Sequence, residues 1–192
     1  SVQITSTYHH GSFSTTFIIT TQPYGSTTIK ARDTLLPANI VFATDRSFTI
    51  LPNIILITPG EGSVGTVITV RGNGYSATDK IRLDFGTSRT IQTVTSVAQG
   101  SFTTTFTIDT QQYGTTTITA FGKGTSTVDI ISARGTLTIL PNIILITPTE
   151  GTVGTLITVR GNGYGATRLI RLEFGTTPTI ITTSTYVHGS WT

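Results

Sequence analysis

Apolar and polar residues alternate along most of the chain with a period of two. In the stretch KIRLDFG, Ile81, Leu83 and Phe85 alternate with charged residues, and in SFTTTFTID, Phe102 and Phe106 alternate with threonines. A period of two is typical of β-strands with one buried and one solvent-exposed face. Turn sequences such as GNGY and QQYG separate these runs about every ten residues. The pattern predicts an all-β protein with almost no helix, and the lack of crossover helices excludes a parallel sheet.

The sequence repeats itself at an offset of 89 residues. The string LPNIILITP begins at Leu51 and returns at Leu140, and ITVRGNGY begins at Ile68 and returns at Ile157. The string GSFSTTFIITTQPYGSTTI, which begins at Gly11, returns in the middle of the chain with few changes. Self-similarity at a fixed period is the sequence signature of repeat architectures. The repeat divides the chain into three parts: residues 1–50 (the C-terminal half of a repeat), 51–139 (a complete repeat) and 140–192 (the N-terminal half of a repeat).

The complete repeat has the size and turn spacing of an immunoglobulin-like β-sandwich, with about seven strands. Its string PGEGSVGTVITVRGNGY, followed by IRLDFG, GSFTTTFTI and YGTTTITA, resembles the IPT/TIG-like immunoglobulin-like repeats of bacterial and archaeal cell-surface proteins. The resemblance covers residues 51–139 and, in halves, the rest of the chain. It implies glycines at tight turns and a bulge, a core aromatic at Tyr75, and a place at the cell surface. The segments 31–50 and 120–139 depart from the family and from each other, so we expect an extra strand or a variable contact surface there.

Composition narrows the classes of function. The chain has 45 threonines, only 11% charged residues, a formal net charge of +3 and no cysteine or methionine. Nine Arg and three Lys are spread singly, so no basic patch predicts a nucleic-acid partner. No apolar run reaches the ~20 residues that a membrane span needs, so we expect no membrane insertion. The chain begins without Met, which fits a processed mature form or a piece of a longer polypeptide, and the absence of oxidation-prone residues suits an extracellular protein.

Threonine dominates the predicted outward faces of the strands. It has the β-branched shape that strands favour without a sticky apolar surface, and it offers candidate acceptors for O-linked sugars. No Asn-x-Ser/Thr sequence is present, so N-linked glycosylation of that type is not expected.

Candidate catalytic and metal-binding residues are few. A catalytic site needs a nucleophile, a base and an orienting group together, and the chain offers three His, nine acids and no Cys. His9, His10 and His188 fall in one repeat-equivalent loop, but the complete repeat has no His there. Glu61 and Glu150 are lone acids in equivalent turns, whereas a calcium ion needs several oxygen ligands together. We therefore expect neither an enzyme nor a bound metal or cofactor.

The repeats follow one another without a linker. The strings SFTILPNIILITP and TLTILPNIILITP lead directly from the last strand of one repeat into the first strand of the next, interrupted only by Pro52 and Pro141. A junction that is this short and apolar and is stiffened by proline does not behave as a flexible coil. The sequence therefore predicts a rod in which each repeat adds ~40 Å, estimated from strands of about ten residues at ~3.3 Å each.

The half-repeats at the two ends are complementary. Each lacks the strands that the other has, and a half-sandwich of about 50 residues exposes both its core face and its pairing edges. The two halves can pair within one chain, between successive chains in a head-to-tail filament, or with flanking repeats of one longer polypeptide. Stiff junctions argue against pairing within one chain. Residues 1–14 and 179–192 are copies of one segment, so one copy is redundant in a head-to-tail joint.

The sequence thus predicts tandem immunoglobulin-like β-sandwiches, rod-like, with a half-domain at each end. We expect an extracellular structural protein that forms or belongs to a surface filament by strand complementation. The alternative is a spacer or carbohydrate-binding repeat fragment of a large adhesin or secreted enzyme. Trp191 aligns with Phe13 and Phe102 and is predicted to be buried, which favours a spacer over a sugar binder. The residues predicted to mediate self-assembly are Tyr8, Phe13, Phe17, Ile19, Ile170, Leu172, Phe174, Tyr186 and Trp191.

Overall fold

The computed structural model describes residues 5, 8–32, 45–124 and 131–192 of the chain. These residues form strands and turns and contain no helix, which confirms the all-β prediction. The strands are β1 (Gly25–Ile29), β2 (Arg46–Ile50), β3 (Asn53–Thr58), β4 (Glu61–Gly62), β5 (Val67–Asn73), β6 (Lys80–Phe85), β7 (Ser88–Thr95), β8 (Phe102–Thr107), β9 (Gly114–Gly122), β10 (Ile131–Ile139), β11 (Asn142–Thr147), β12 (Thr158–Asn162), β13 (Leu169–Phe174) and β14 (Thr177–Ser184).

Strands β3 to β10 form a β-sandwich. One sheet has the order β3-β5-β8 and the other the order β4-β10-β9-β6-β7. The residues that alternation places inward, among them Ile68 and Phe106 on the first sheet and Leu83, Phe85 and Ile118 on the second, form one buried cluster. The sandwich has eight strands instead of the predicted seven or so, because the two-residue β4 is additional.

One pair of strands runs parallel within the otherwise antiparallel sheets of the sandwich, so neither is a parallel sheet, as predicted. Strand β4 pairs with β10 in parallel, with Thr138 opposite Glu61 and Ile139 opposite Gly62. Strand β3 belongs to the other sheet, so the chain changes sheets between β3 and β4 over Pro59 and Gly60. This short change of sheets allows a parallel pair without a crossover helix.

The predicted core aromatic, Tyr75, is fully buried. Its ring packs edge-on against Phe102, with ring centroids 5.3 Å apart, and its hydroxyl donates a hydrogen bond to the carbonyl oxygen of Ala120 (3.2 Å). Burial raises the pKa of the Tyr75 hydroxyl well above its ordinary value, because removal from water disfavours the phenolate.

Glycines lie at a bulge and in a turn of the sandwich, as predicted. Gly72 lies opposite a β-bulge in β3, and a Cβ atom there would collide with the ring of Phe102. Gly74 has a φ of +72°, a region that glycine enters at no steric cost. An extra strand or a variable contact surface was predicted in the divergent segments 31–50 and 120–139. Residues 33–44 and 125–130 of those segments lie outside the described residues.

Candidate assembly surfaces

The parts flanking the sandwich reproduce its hairpins with the same registers. In β1–β2, Gly25 lies opposite Ile50, and the equivalent pair 89 residues later, Gly114 and Ile139, lies opposite in β9–β10. The pairs β11–β12 and β13–β14 likewise copy β3–β5 and β6–β7, including the bulge in each. Register within a hairpin is specified by its turn and by its apolar pattern. The local pairing is therefore encoded in each half-repeat independently.

The pairings that join hairpins into sheets are the ones missing from the C-terminal half. In the sandwich, β5 pairs with β8 and β6 pairs with β9. In the C-terminal half, β12 has only the isolated bridge between Gly161 and Trp191 on that side, and β13 pairs only with β14. Strand β12 also begins at Thr158, so the equivalents of the first two residues of β5, Leu156 and Ile157, are not in a strand. One side of β12 and one side of β13 are open edges.

The run FSTTFIIT at residues 13–20 repeats the pattern of β8, which predicts a strand, and that prediction was wrong. Strand β8 pairs with β5, but residues 13–20 are not in a strand. By the 89-residue offset, the equivalent of β5 for residues 13–20 falls outside the 192 residues. The strand pattern alone is therefore not sufficient to form the strand.

Burial of equivalent core positions differs sharply between the sandwich and the C-terminal half. Ile68 and Phe85 are both 0% exposed, whereas their equivalents Ile157 and Phe174 are 41% and 67% exposed. The side chains have the same identity in each pair, so the difference comes from the strands that would cover them. In the sandwich these are β8, β9 and β10, which belong to the missing half of the repeat.

The N-terminal half shows the reciprocal exposure. Phe106 and Ile108 are 7% and 1% exposed in the sandwich, whereas Phe17 and Ile19 are 50% and 51% exposed. Phe13 is also exposed. The residues exposed at each end are the ones that would meet in a complete repeat.

Three of the predicted self-assembly residues are already covered within the chain. Trp191 is 2% exposed, as predicted, and packs edge-on against Tyr164 with ring centroids 6.0 Å apart. This arrangement copies Phe102 on Tyr75 in the sandwich. Ile170 is buried and Leu172 is half-buried. The C-terminal half therefore has a partial core next to its open edges.

Tyr8 and Tyr186 are exposed, but their position does not become buried in a complete repeat. Both are equivalent to Val97, which is half exposed in the sandwich. These two tyrosines belong to the duplicated turn, in which Tyr8 and Tyr186 accept backbone hydrogen bonds from Gly11 and Gly189. Missing strands therefore do not account for their exposure.

Sequence reasoning missed other members of the two apolar surfaces. Ile29 and Phe48 in the N-terminal hairpin and Ile146 in the C-terminal half are exposed. Their equivalents in the sandwich, Ile118, Leu137 and Ile57, belong to or pack against the buried core. The 89-residue offset was the signal that could have identified them.

Two buried polar atoms in the described part of the C-terminal half have no hydrogen-bond partner. They are Oδ1 of Asn162 and Nε1 of Trp191. Buried polar atoms normally have a partner, and both residues lie at the open end of β12. The core of this half is thus incomplete in hydrogen bonding as well as in apolar cover.

The junctions on either side of the sandwich share one backbone contact. The Tyr24 amide donates to the Tyr75 carbonyl oxygen (2.9 Å), and 89 residues later the Tyr113 amide donates to the Tyr164 carbonyl oxygen (3.2 Å). At the second junction the Gln112 side chain also donates to the Val187 carbonyl oxygen (2.8 Å). An equivalent backbone hydrogen bond therefore joins the N-terminal half to the sandwich and the sandwich to the C-terminal half.

No cluster of catalytic or metal-binding character accompanies these surfaces in the described ranges. His9 and His10 stack on each other in an exposed turn, and His188 is exposed in the equivalent turn at the other end. Among the described residues, no three His, Cys, Asp or Glu side chains are grouped so that they could hold a metal ion. In the same residues, no helix is long and apolar enough to cross a membrane. Comparison of the chain with protein-family models and with curated proteins found no match.

Proposed function

We propose that the chain is a non-enzymatic, extracellular structural protein that forms or belongs to a surface filament. Its repeats would be immunoglobulin-like and IPT/TIG-like, in a rod with a half-domain at each end. The proposal rests on one observation. Ile68, Phe85, Phe106 and Ile108 belong to one buried cluster in the sandwich. Their equivalents are exposed, the first two as Ile157 and Phe174 in residues 140–192 and the last two as Phe17 and Ile19 in residues 8–50.

The two surfaces fit as the two parts of one repeat. The C-terminal half has the equivalents of β3, β5, β6 and β7, and the N-terminal part has those of β8, β9 and β10 in sequence. In the joint, residues 14–18 of one chain would add to the open edge of β12 of another, and β1 would add to β13. Strand addition of this kind supplies main-chain hydrogen bonds for affinity and side-chain pockets for specificity.

Burial of the exposed core residues supplies the driving force. Covering a large apolar side chain such as Phe174, Phe17 or Ile157 would stabilise the joint by roughly 1.5–3 kcal/mol. Several such residues become covered together in one joint. The same step would turn residues 13–20, which have a strand pattern but are not in a strand, into a paired strand.

The joint would form between chains instead of within one. The same backbone contact fastens the sandwich to each flanking part, and each junction between strands is only two residues long, at Leu51–Pro52 and Leu140–Pro141. These features support end-to-end stacking, which holds the two halves at opposite ends of the sandwich. Head-to-tail contacts that do not close on themselves generate open filaments.

The test is the state of the isolated 192-residue chain over a range of concentrations, measured by light scattering after size exclusion and by electron microscopy. We expect oligomers that lengthen with concentration and are one chain wide. Phe17→Asp should abolish them, because it puts a charge at a position buried in the joint. Val97→Asp is the matched control, since Val97 is as exposed as Phe17 (51% and 50%) but belongs to a complete repeat. A compact monomer at high concentration would contradict the proposal.

The second candidate is a spacer or carbohydrate-binding repeat fragment of a large adhesin or secreted enzyme. In that case flanking repeats of the same long chain would supply the missing strands. Burial of Trp191, the single Trp of the chain, favours a spacer over a sugar binder, because sugar platforms use exposed aromatic rings. Specific binding on a glycan array would reverse that preference. Threonines on the outer faces remain proposed sites for O-linked sugars, and mass spectrometry of the native protein tests them.

A further inference from the structure

The sandwich fixes the register in which β1 of one chain would meet β13 of another, given the strand complementation proposed above. In β6–β9, Leu83 lies opposite Ala120 and Phe85 lies opposite Ile118. An offset of 89 residues places Leu172 opposite Ala31 and Phe174 opposite Ile29 in the joint. Both pairs are apolar, so the core side of the joint repeats that of the sandwich.

The positions between these apolar pairs differ in charge from the sandwich. Asp84 lies opposite Thr119, and Arg82 lies opposite Phe121. The equivalent pairs in the joint are Glu173 with Lys30 and Arg171 with Arg32. The incoming strand thus has two cations where β9 has a hydroxyl and an aromatic ring.

Side chains opposite each other in this register do reach one another. The guanidinium carbon of Arg82 lies 4.5 Å from the centre of the Phe121 ring. On the same face, Arg82 pairs with Asp84 along the strand (Nε–Oδ1, 3.0 Å), and Arg171 pairs with Glu173 in the same way (Nη2–Oε1, 2.6 Å). The exposed ladder of β13 therefore presents one acid with one cation beside it.

The two partners are accessible in the chain. The side chain of Glu173 is 53% exposed and that of Lys30 is 50% exposed, and Lys30 is paired with Asp45 across its own hairpin (3.3 Å). In the joint, Glu173 would face Arg171 on its own strand and Lys30 and Arg32 on the incoming strand, with Asp45 beside Lys30. Removal of the Glu173 charge would leave Asp45 paired with Lys30 and would take the acid of β13 away from Arg171.

We propose that Glu173 recognises the N-terminal hairpin of a second copy of the chain by pairing with Lys30 and Arg32. Recognition of this kind would make the joint selective. An intact β9, which has Thr119 and Phe121 at these positions, cannot make the pair, so the open end of one chain would accept the N-terminal end of another chain and discriminate against a strand taken from a complete sandwich.

The test compares Glu173→Lys with the triple variant Glu173→Lys/Lys30→Glu/Asp45→Lys in the full chain. Charge reversal changes an attractive cross-strand pair into a repulsive one, so we expect Glu173→Lys to raise the concentration for half-maximal assembly about tenfold at low salt. The triple variant should return to within about threefold of the original chain, since the cross-strand pair is restored with its signs exchanged and Asp45→Lys keeps opposite charges paired within the N-terminal hairpin. The difference between the variants should shrink at about 1 M salt, where charges more than ~3 Å apart are screened.

Glu61→Lys is the matched control, because it makes the same change in net charge on an exposed residue of the complete sandwich. It should assemble like the original chain. The thermal unfolding of Glu173→Lys and the fluorescence of its Trp191 below the assembly concentration show whether the variant keeps its fold.

The outcomes separate this inference from the proposed function. If Glu173→Lys assembles as well as the original chain, or if adding Lys30→Glu and Asp45→Lys fails to restore assembly, the pairing is overturned while the filament proposal stands. If the original chain itself does not assemble, both are overturned.

Discussion

Strands β3 and β11 have the same sequence, NIILIT, but different surroundings. Ile54 and Ile57 of β3 are half-buried against the core of the sandwich, whereas Ile143 and Ile146 of β11 are exposed. Both strands pair with an equivalent neighbour in the same register. Sequence and local pairing are therefore equal, and the two regions differ in the strands beyond the hairpin, which in the sandwich are β8 beside β5 and the opposite sheet.

The missing cover can be identified residue by residue. Ile57 packs so closely on β10 that a Cβ atom at Gly135 would collide with it. The equivalent of β10 for the C-terminal half is β2, which lies at the other end of the chain. Hairpins thus form wherever their sequence occurs, while closure of the sandwich requires strands that are distant in sequence.

The largest expected effect comes from supplying those strands. A polypeptide in which residues 140–192 are followed directly by residues 15–50 contains each part of one repeat once. We expect it to fold into a sandwich with a single cooperative thermal transition, because every core position gains its partner. Residues 140–192 alone should show no such transition, since a half-sandwich buries too little apolar surface.

Circular dichroism and calorimetry measure this difference. The control is the same polypeptide with Phe17→Asp, which should remove the transition because Phe17 occupies the position of the buried Phe106. Cooperative unfolding of residues 140–192 alone would show that the C-terminal half needs no complement.

The next largest difference between the two regions should come from truncating equivalent phenylalanines. Phe85→Ala removes a fully buried side chain, so it should lower the free energy of unfolding of the sandwich by about 3–5 kcal/mol. Phe174→Ala removes a mostly exposed one, and in the monomer it should change that free energy by less than about 0.5 kcal/mol. Urea unfolding below the assembly concentration compares them. Equal losses would mean that Phe174 is already packed in the monomer.

A smaller effect is expected where the two regions are alike. Gly161 and Gly72 both lie beneath an aromatic ring, of Trp191 and Phe102 respectively, and a Cβ atom at either would collide with that ring. Gly161→Ala should therefore displace Trp191 and destabilise its packing by about 1–3 kcal/mol. Because Trp191 is the single Trp, its fluorescence reports on this half alone, and we expect a red shift and faster quenching by acrylamide. Gly165→Ala is the control, since the atoms nearest to Gly165 belong to the flexible side chain of Arg168 and not to an aromatic ring.

The sequence predicted the sandwich well because its pattern is regular. Alternation identified Ile81, Leu83 and Phe85 as core, and repeat arithmetic predicted burial of Trp191 from that of Phe102; the structure confirms both. It did not reveal β4, because a two-residue parallel strand has no periodicity to detect.

The candidate assembly surfaces were only partly predictable. Alternation in residues 13–20 indicates a strand whether or not a neighbouring strand exists, so the sequence could not show that these residues are not in a strand. It also could not separate Trp191, which finds cover within its own half, from Phe174, which does not. Both distinctions depend on which strands are present to make contact, and that is a property of the assembly instead of the segment.

The smallest expected effect concerns Tyr75 at alkaline pH. Burial raises the pKa of its hydroxyl above the ordinary value, so the folded sandwich keeps the proton while the unfolded chain loses it near pH 10. The unfolded state then binds fewer protons, and stability falls as pH rises above about 10. At pH 11 the expected loss from this group is about 1.4 kcal/mol relative to pH 7.

Tyr75→Phe should remove that loss at high pH and cost about 1 kcal/mol at pH 7, where the hydrogen bond to Ala120 is made. Urea unfolding of both proteins at pH 7 and pH 11 isolates the contribution, because the other tyrosines are common to both and cancel in the comparison. Parallel loss of stability in the two proteins would show that Tyr75 does not titrate with unfolding. A smaller loss in the variant would identify the Tyr75 hydroxyl as the group in the sandwich core whose titration lowers stability at alkaline pH.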